Sequence, residues 1–284
     1  MAYSKEISRK NKALFVFLLD QSFSMEDPMA NSGSRKIDEL TRAINAWLQN
    51  LSIACAKAEG FKDYFDISII GYGTDEQANP IIEPALVGPL AGREIVTISE
   101  VAENPARVDT VTAFMQDEET GEMLEMPQQM PIWIDPVTRG ATPICSAIAK
   151  VCDIVDRWIA EHPDSFPPVV INITDGESSE GDPIPYADTL RQRATNDGDV
   201  LFFNCCVSAT PADPFLFKGN GEVLPDEFAR TLFKMSSVLP EAIVEKARAA
   251  GQELEPNARG MAYNADMVSL IKFLDMGTRA ATLR

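Results

Sequence analysis

The segment ALFVFLL, residues 13–19, is an unbroken apolar run that stops abruptly at Asp20. A strand with one face in water alternates apolar and polar side chains. A run without alternation needs apolar neighbours on both faces, as interior strands of helix-covered parallel sheets do. Two later segments repeat the pattern: 169–174, VVINIT, and 200–207, apolar apart from Asn204. Between them lie helical stripes. Ile37, Leu40, Ile44, Leu48, Leu51 and Cys55 recur at helical spacing in a helix expected from a Ser34 cap to about Glu59, with Gly60 as its stop. Ile144, Ile148, Cys152, Val155 and Ile159 supply a second buried stripe. Alternating strands and helices predict an α/β fold, a doubly wound and mostly parallel sheet with helices on both faces.

Ligands of open α/β sheets bind beyond the carboxyl ends of the strands. There the first apolar run delivers Asp20, Ser22 and Ser24, a carboxylate and two hydroxyls on alternate residues. Such oxygens suit a hard divalent cation. They equally suit a turn that hydrogen-bonds its own backbone, and the D-x-S-x-S spacing alone leaves the two readings even. Thr142 precedes Pro143 at an expected helix start, where capping alone would explain a threonine. Asp175 follows the second apolar run and is itself followed by Gly176, which a plain turn would also explain.

Taken together and in this order, these residues resemble the von Willebrand factor type A domain family. Its metal-ion-dependent adhesion site combines a D-x-S-x-S loop with a distant Thr and a distant Asp. The resemblance implies that Asp20, Ser22, Ser24, Thr142 and Asp175 are metal ligands. It further implies a divalent cation, Mg²⁺ before Mn²⁺ or Ca²⁺, and a protein partner that presents Asp or Glu to the ion. Cytoplasmic bacterial members of the family resemble subunits that work beside ATPases, kinases or phosphatases. Phe23 departs from the pattern, standing where many members carry a small residue. The resemblance also implies that residues 63–73 form an antiparallel edge strand after the first helix.

The competing class is a metal-dependent hydrolase or phosphoesterase built on Asp20 and Asp175. Aspartyl phosphatases generally carry a second acid two residues after the nucleophile, and Ser22 occupies that place. The single histidine, His162, is remote from both serines in sequence, so no nucleophile–base pair is visible. The sequence is therefore read as non-catalytic. No G-x-G-x-x-G follows the first strand, which removes a dinucleotide site.

The 284 residues carry 25 Lys plus Arg against 43 Asp plus Glu, a formal charge of −18 that repels phosphate backbones and argues against nucleic acid. The five cysteines fit no disulfide framework or zinc pattern and are expected to be buried thiols. The opening MAYSKEISRKNK is polar, and no run is long enough to span a bilayer, so a cytoplasmic protein without a membrane partner is expected.

The chain is expected to be one domain, 1–284, with a β-rich insertion over 75–139 and a C-terminal helical completion over 208–284. The insertion is expected to hold two hairpins, 81–87 with 94–99 and 108–116 with 122–126. Helices are expected over 182–196, 226–235, 240–250 and 265–276, and a short strand over 261–263.

Overall fold

The computed structural model describes residues 3–264, apart from 6, 30–31, 58–59, 117–122, 208–214 and 250–253. One eight-stranded sheet organises the chain. Its strands are β1 (Ala13–Asp20), β2 (Phe65–Thr74), β3 (Pro80–Pro84), β4 (Val96–Thr97), β5 (Val169–Thr174), β6 (Leu201–Cys206), β7 (Phe215–Leu216) and β8 (Met261–Tyr263). The spatial order is β7-β8-β6-β5-β1-β2-β3, with β4 also pairing on β2. The five strands β8, β6, β5, β1 and β2 run parallel, and short antiparallel strands close both edges.

The helices are α1 (Lys36–Cys55), α2 (Ile98–Glu103), α3 (Ile144–Glu161), α4 (Ile184–Arg191), α5 (Glu227–Met235) and α6 (Glu241–Ala249). Successive side chains of β1 point to opposite faces, so its apolar run feeds two cores. Phe15, Phe17 and Leu19 meet Ile37, Leu40 and Ile44 of α1, in the core that also takes residues of α2 and α6. Leu14, Val16 and Leu18 meet Ile148, Val151 and Val155 of α3, with α4 and α5 on the same side. Every residue of β1 is buried. Trp47 packs edge-on against Phe17 with ring centroids 4.7 Å apart, a core role. The architecture is the α/β sheet expected from the apolar runs.

A polar thread crosses one core. Tyr72 donates through its hydroxyl to Asn172 Oδ1 at 2.8 Å, Asn172 Nδ2 to Asn204 Oδ1 at 3.1 Å, and Asn204 Nδ2 to Ser236 Oγ at 3.1 Å. Asn172 and Asn204 are fully buried and stand opposite each other in the β5–β6 pairing.

Several local expectations are corrected. β2 is an interior strand parallel to β1, and the antiparallel edge belongs to β3. Residues 81–87 and 94–99 do not pair as a hairpin. β3 and β4 both pair back onto β2, and residues 98–103 form α2. That helix opens with a capping box, Thr97 Oγ1 accepting from the Glu100 N–H while the Glu100 carboxylate accepts from Thr97 N–H. The helix after the first loop begins at Lys36 with Arg35 as N-cap, not at a Ser34 cap, and it stops at Cys55. The helix expected over 182–196 ends at Arg191, where Ala194–Thr195 turns back on Gly198–Asp199.

Other expectations stand. Arg107–Gln116 and Met123–Ile132 pair as a long antiparallel ribbon, ten residues on each side. The helices near 226–235 and 240–250 and the strand at 261–263 are present. The helix expected over 265–276 lies outside the described residues. Where the ribbon rejoins the core, Asn45 of α1 clamps its end. Asn45 Oδ1 accepts from the N–H groups of Trp133 and Ile134, at 2.9 and 3.2 Å, and Nδ2 donates to the Ile134 carbonyl at 3.1 Å.

Candidate metal centre

Strands β1 and β5 are neighbours, but the chain leaves β1 towards β2 on one side and continues from β5 towards β6 on the other. This reversal opens a crevice at the carboxyl ends of the two strands. Asp20 ends β1, and Asp175 is the first residue beyond β5.

Asp20 is fully buried. Its Oδ1 accepts from the Ser22 N–H at 2.8 Å and its Oδ2 from the Thr174 hydroxyl at 2.5 Å. Burial pushes this carboxyl up to about 6, against the opposing pull of the Thr174 and Ser22 hydrogen bonds. Residues Phe23–Glu26 then form one 3₁₀ turn, pegged by fully buried Met25, whose N–H donates to the Ser22 carbonyl at 3.0 Å. This turn sets the hydroxyls of Ser22 and Ser24 3.0 Å apart, and Ser24 donates to Asp175 Oδ1 at 2.7 Å. Phe23 points outward and is 62% exposed at the rim.

The loop that carries Thr142 is zipped onto the first loop through the backbone. Phe23 N–H donates to the Gly140 carbonyl at 3.0 Å, and Arg139 N–H to the Gln21 carbonyl at 2.5 Å. The Arg139 guanidinium also grips Gln21 Oε1 at 2.7 Å. Gly140 has φ +55°, and a Cβ there would lie 2.0 Å from Thr74 Oγ1, so only glycine fits. Thr142 is buried, but its hydroxyl is not the α3 cap: the N-cap residue is Pro143 and has no side-chain cap. Instead Glu180 accepts from the Ser146 N–H at 2.8 Å and from the Ser146 hydroxyl, placing a carboxylate at the positive end of the helix. Thr142 Oγ1 faces Gly176. A Cβ on Gly176 would sit 3.2 Å from Thr142 Oγ1 and 3.5 Å from Ser24 Oγ, so these two hydroxyls share one small space kept open by a glycine.

Asp20, Ser22, Ser24, Thr142 and Asp175 thus lie in one crevice, drawn from three loops. Adjacent ligands of an octahedral Mg²⁺ at about 2.1 Å lie about 3.0 Å apart. The Ser22, Ser24 and Asp175 oxygens, hydrogen-bonded at 3.0 and 2.7 Å, are close enough together for one ion to reach all three. The donors are hard oxygens of both charged and neutral kinds, so the residues present fit a divalent cation of that class.

Two participants carry no signature in the sequence. Thr174 looks like one more β-branched strand residue, yet it anchors Asp20. Lys36 looks like a solvated lysine opening an amphipathic helix, yet it is buried, and its Nζ lies 2.6 Å from Asp175 Oδ2. Its position in the first helical turn, where the helix dipole disfavours a cation, was the available hint. His162 stays away from the crevice. It stacks on Trp158 with ring centroids 4.5 Å apart, at the far end of α3, roughly 27 Å of helix from Ile144. The hydroxyls of Ser22 and Ser24 meet each other and Asp175, not an imidazole.

No protein-family model matches the chain. No curated protein matches it either. Solved structures do show similarity. One is the ArnB paralog VWA2 from Sulfolobus acidocaldarius, at 15% identity and a TM-score of 0.36, covering 72% of this chain and 36% of that one. Another is the vWF domain of the type V pili tip protein Mfa5 from Porphyromonas gingivalis, at 10% identity and a TM-score of 0.30, covering 60% and 39%. A third is the PilB minor pilin from Streptococcus sanguinis, at 9% identity and a TM-score of 0.45, covering 95% and 61%. The chain therefore spans less than two thirds of the length of each of these three proteins.

Proposed function

We propose that this chain is a von Willebrand factor type A-like interaction module whose crevice holds a divalent cation, Mg²⁺ foremost, and through it takes an Asp or Glu side chain from a protein partner. The observation that supports this most is the gathering of the Ser22, Ser24 and Asp175 oxygens into one hydrogen-bonded cluster at the switch point of the sheet. In this reading Ser22, Ser24 and Thr142 supply neutral oxygens, and Asp20 and Asp175 balance the charge directly or across water. The ion, when bound, supplies an electrophilic vertex for a carboxylate. A non-catalytic subunit in a cytoplasmic multi-protein system, beside an ATPase, kinase or phosphatase, is the setting we favour. Five free and buried cysteines are in keeping with a reducing compartment.

The test is affinity capture from the native host with Mg²⁺ or with EDTA, using the wild-type chain and Asp175→Ala. Partners captured with Mg²⁺ and lost on chelation and in the variant support the reading. Capture indifferent to both sinks it.

A further inference from the structure

We infer that Lys36 is a tethered competitor for the divalent cation, an ammonium that holds Asp175 in the ion-free protein and sets how readily an ion replaces it. This rests on reading the crevice as a cation site. Three observations carry it. The first is position: Lys36 is the first residue of α1, at the end where the aligned peptide dipoles of the helix concentrate positive charge. A lysine placed there for helix stability would be a poor choice. The second is burial: the Lys36 side chain is 6% exposed and its partner Asp175 only 1%. A flexible, strongly hydrated ammonium is withdrawn from water only where an opposite charge holds it. The third is geometry. Lys36 Nζ donates to Asp175 Oδ2 at 2.6 Å and to the Ser24 carbonyl at 3.4 Å, while Ser24 donates to Asp175 Oδ1. Both oxygens of Asp175 are thereby engaged from within the protein. Exposed Asp27, at 3.7 Å, gives the ammonium a second carboxylate when Asp175 turns to an ion.

The charge balance gives this competition a consequence. Asp20 and Asp175 alone would neutralise a divalent ion, and the site would then have little pull on a further anion. Lys36 adds one positive charge that exposed Asp27 screens only in part, and a single incoming carboxylate can cancel the remainder. Lys36 thus weakens the ion's hold and strengthens the appetite of the loaded site for an acidic ligand.

The experiment is titration of the full chain with Mn²⁺, followed by calorimetry and by electron paramagnetic resonance of the free ion. Wild type is compared with Lys36→Met and Lys36→Gln, with folding checked by circular dichroism. The removal of a buried positive charge next to the ion is expected to tighten Mn²⁺ binding about ten- to a hundredfold. The ion-free variants are expected to melt below wild type and to recover more of their stability on adding Mn²⁺. If wild type is silent and the variants bind, Lys36 is confirmed as the competitor and the working cation site of the native chain is lost. Equal or weaker binding in a folded variant overturns the role of Lys36 while leaving the cation site standing. If none of the three binds Mn²⁺, both readings fall.

Discussion

Thr174 donates its hydroxyl to Asp20 Oδ2 at 2.5 Å and so ties together the carboxyl ends of the two central strands. The bond matters because Asp20 is fully buried. Thr174→Val keeps the shape and removes the donor. We expect it to cost about 1–3 kcal/mol, the penalty for an abandoned buried acceptor, in urea unfolding. Thr174→Ser should recover most of the loss. A neutral Thr174→Val would mean that the bond carries no weight.

The Asn45 clamp gives a second expectation. One side chain satisfies three backbone groups at the point where the ribbon returns to the core. Asn45→Leu should destabilise the chain by roughly 2–4 kcal/mol, since buried N–H groups lose their acceptor. Limited proteolysis should then cut first between residues 75 and 139. Cleavage starting elsewhere would show that the ribbon is held by other contacts.

Gly140 offers a third. Its positive φ and its closeness to Thr74 make Gly140→Ala a steric conflict at the hinge of the Thr142 loop. The expected cost is about 1–3 kcal/mol, with a weaker melting-temperature response to Mg²⁺ than in wild type. An unchanged response would place Thr142 outside the shell.

The buried thiols set an alkaline limit. Burial pushes Cys55 up to about 11 from 9.0 and raises Cys205 further. In the folded chain these thiols stay protonated while the unfolded chain ionises, so stability is expected to fall as pH rises from about 9 towards 11. Urea midpoints across that range, for wild type and Cys55→Ala, provide the check: the variant should lose less. In native buffer a thiol reagent should label the protein slowly, and unfolding should release all five cysteines.

What could be read in advance follows from where each signal resides. Strands buried on both faces must be apolar throughout, so β1, β5 and β6 announce themselves, as do the stripes of α1 and α3. Partner choice in short pieces is different. Val96 and Thr97 are as fit to pair with Ile81 and Ile82 as with β2, and only the finished core decides. The α2 helix was misread as strand, although Thr97 and Glu100 stand at capping-box spacing. The α3 start was legible to within a residue, but its cap was not, because that comes from Glu180, 34 residues downstream of Ser146. Lys36 and Thr174 are common residues in ordinary places, and their roles exist only once Asp175 and Asp20 arrive beside them.

The paired amides of Asn172 and Asn204 bear on how the sheet is assembled. Parallel strands as uniformly apolar as β5 and β6 would mesh almost as well one residue out of step. In the native alignment each amide finds its mate; shifted by one, the bond between them is lost and the Asn172 amide N–H and the Asn204 amide oxygen are left buried without a partner. Two asparagines therefore work as an alignment key, giving up a little burial free energy to penalise the wrong pairing.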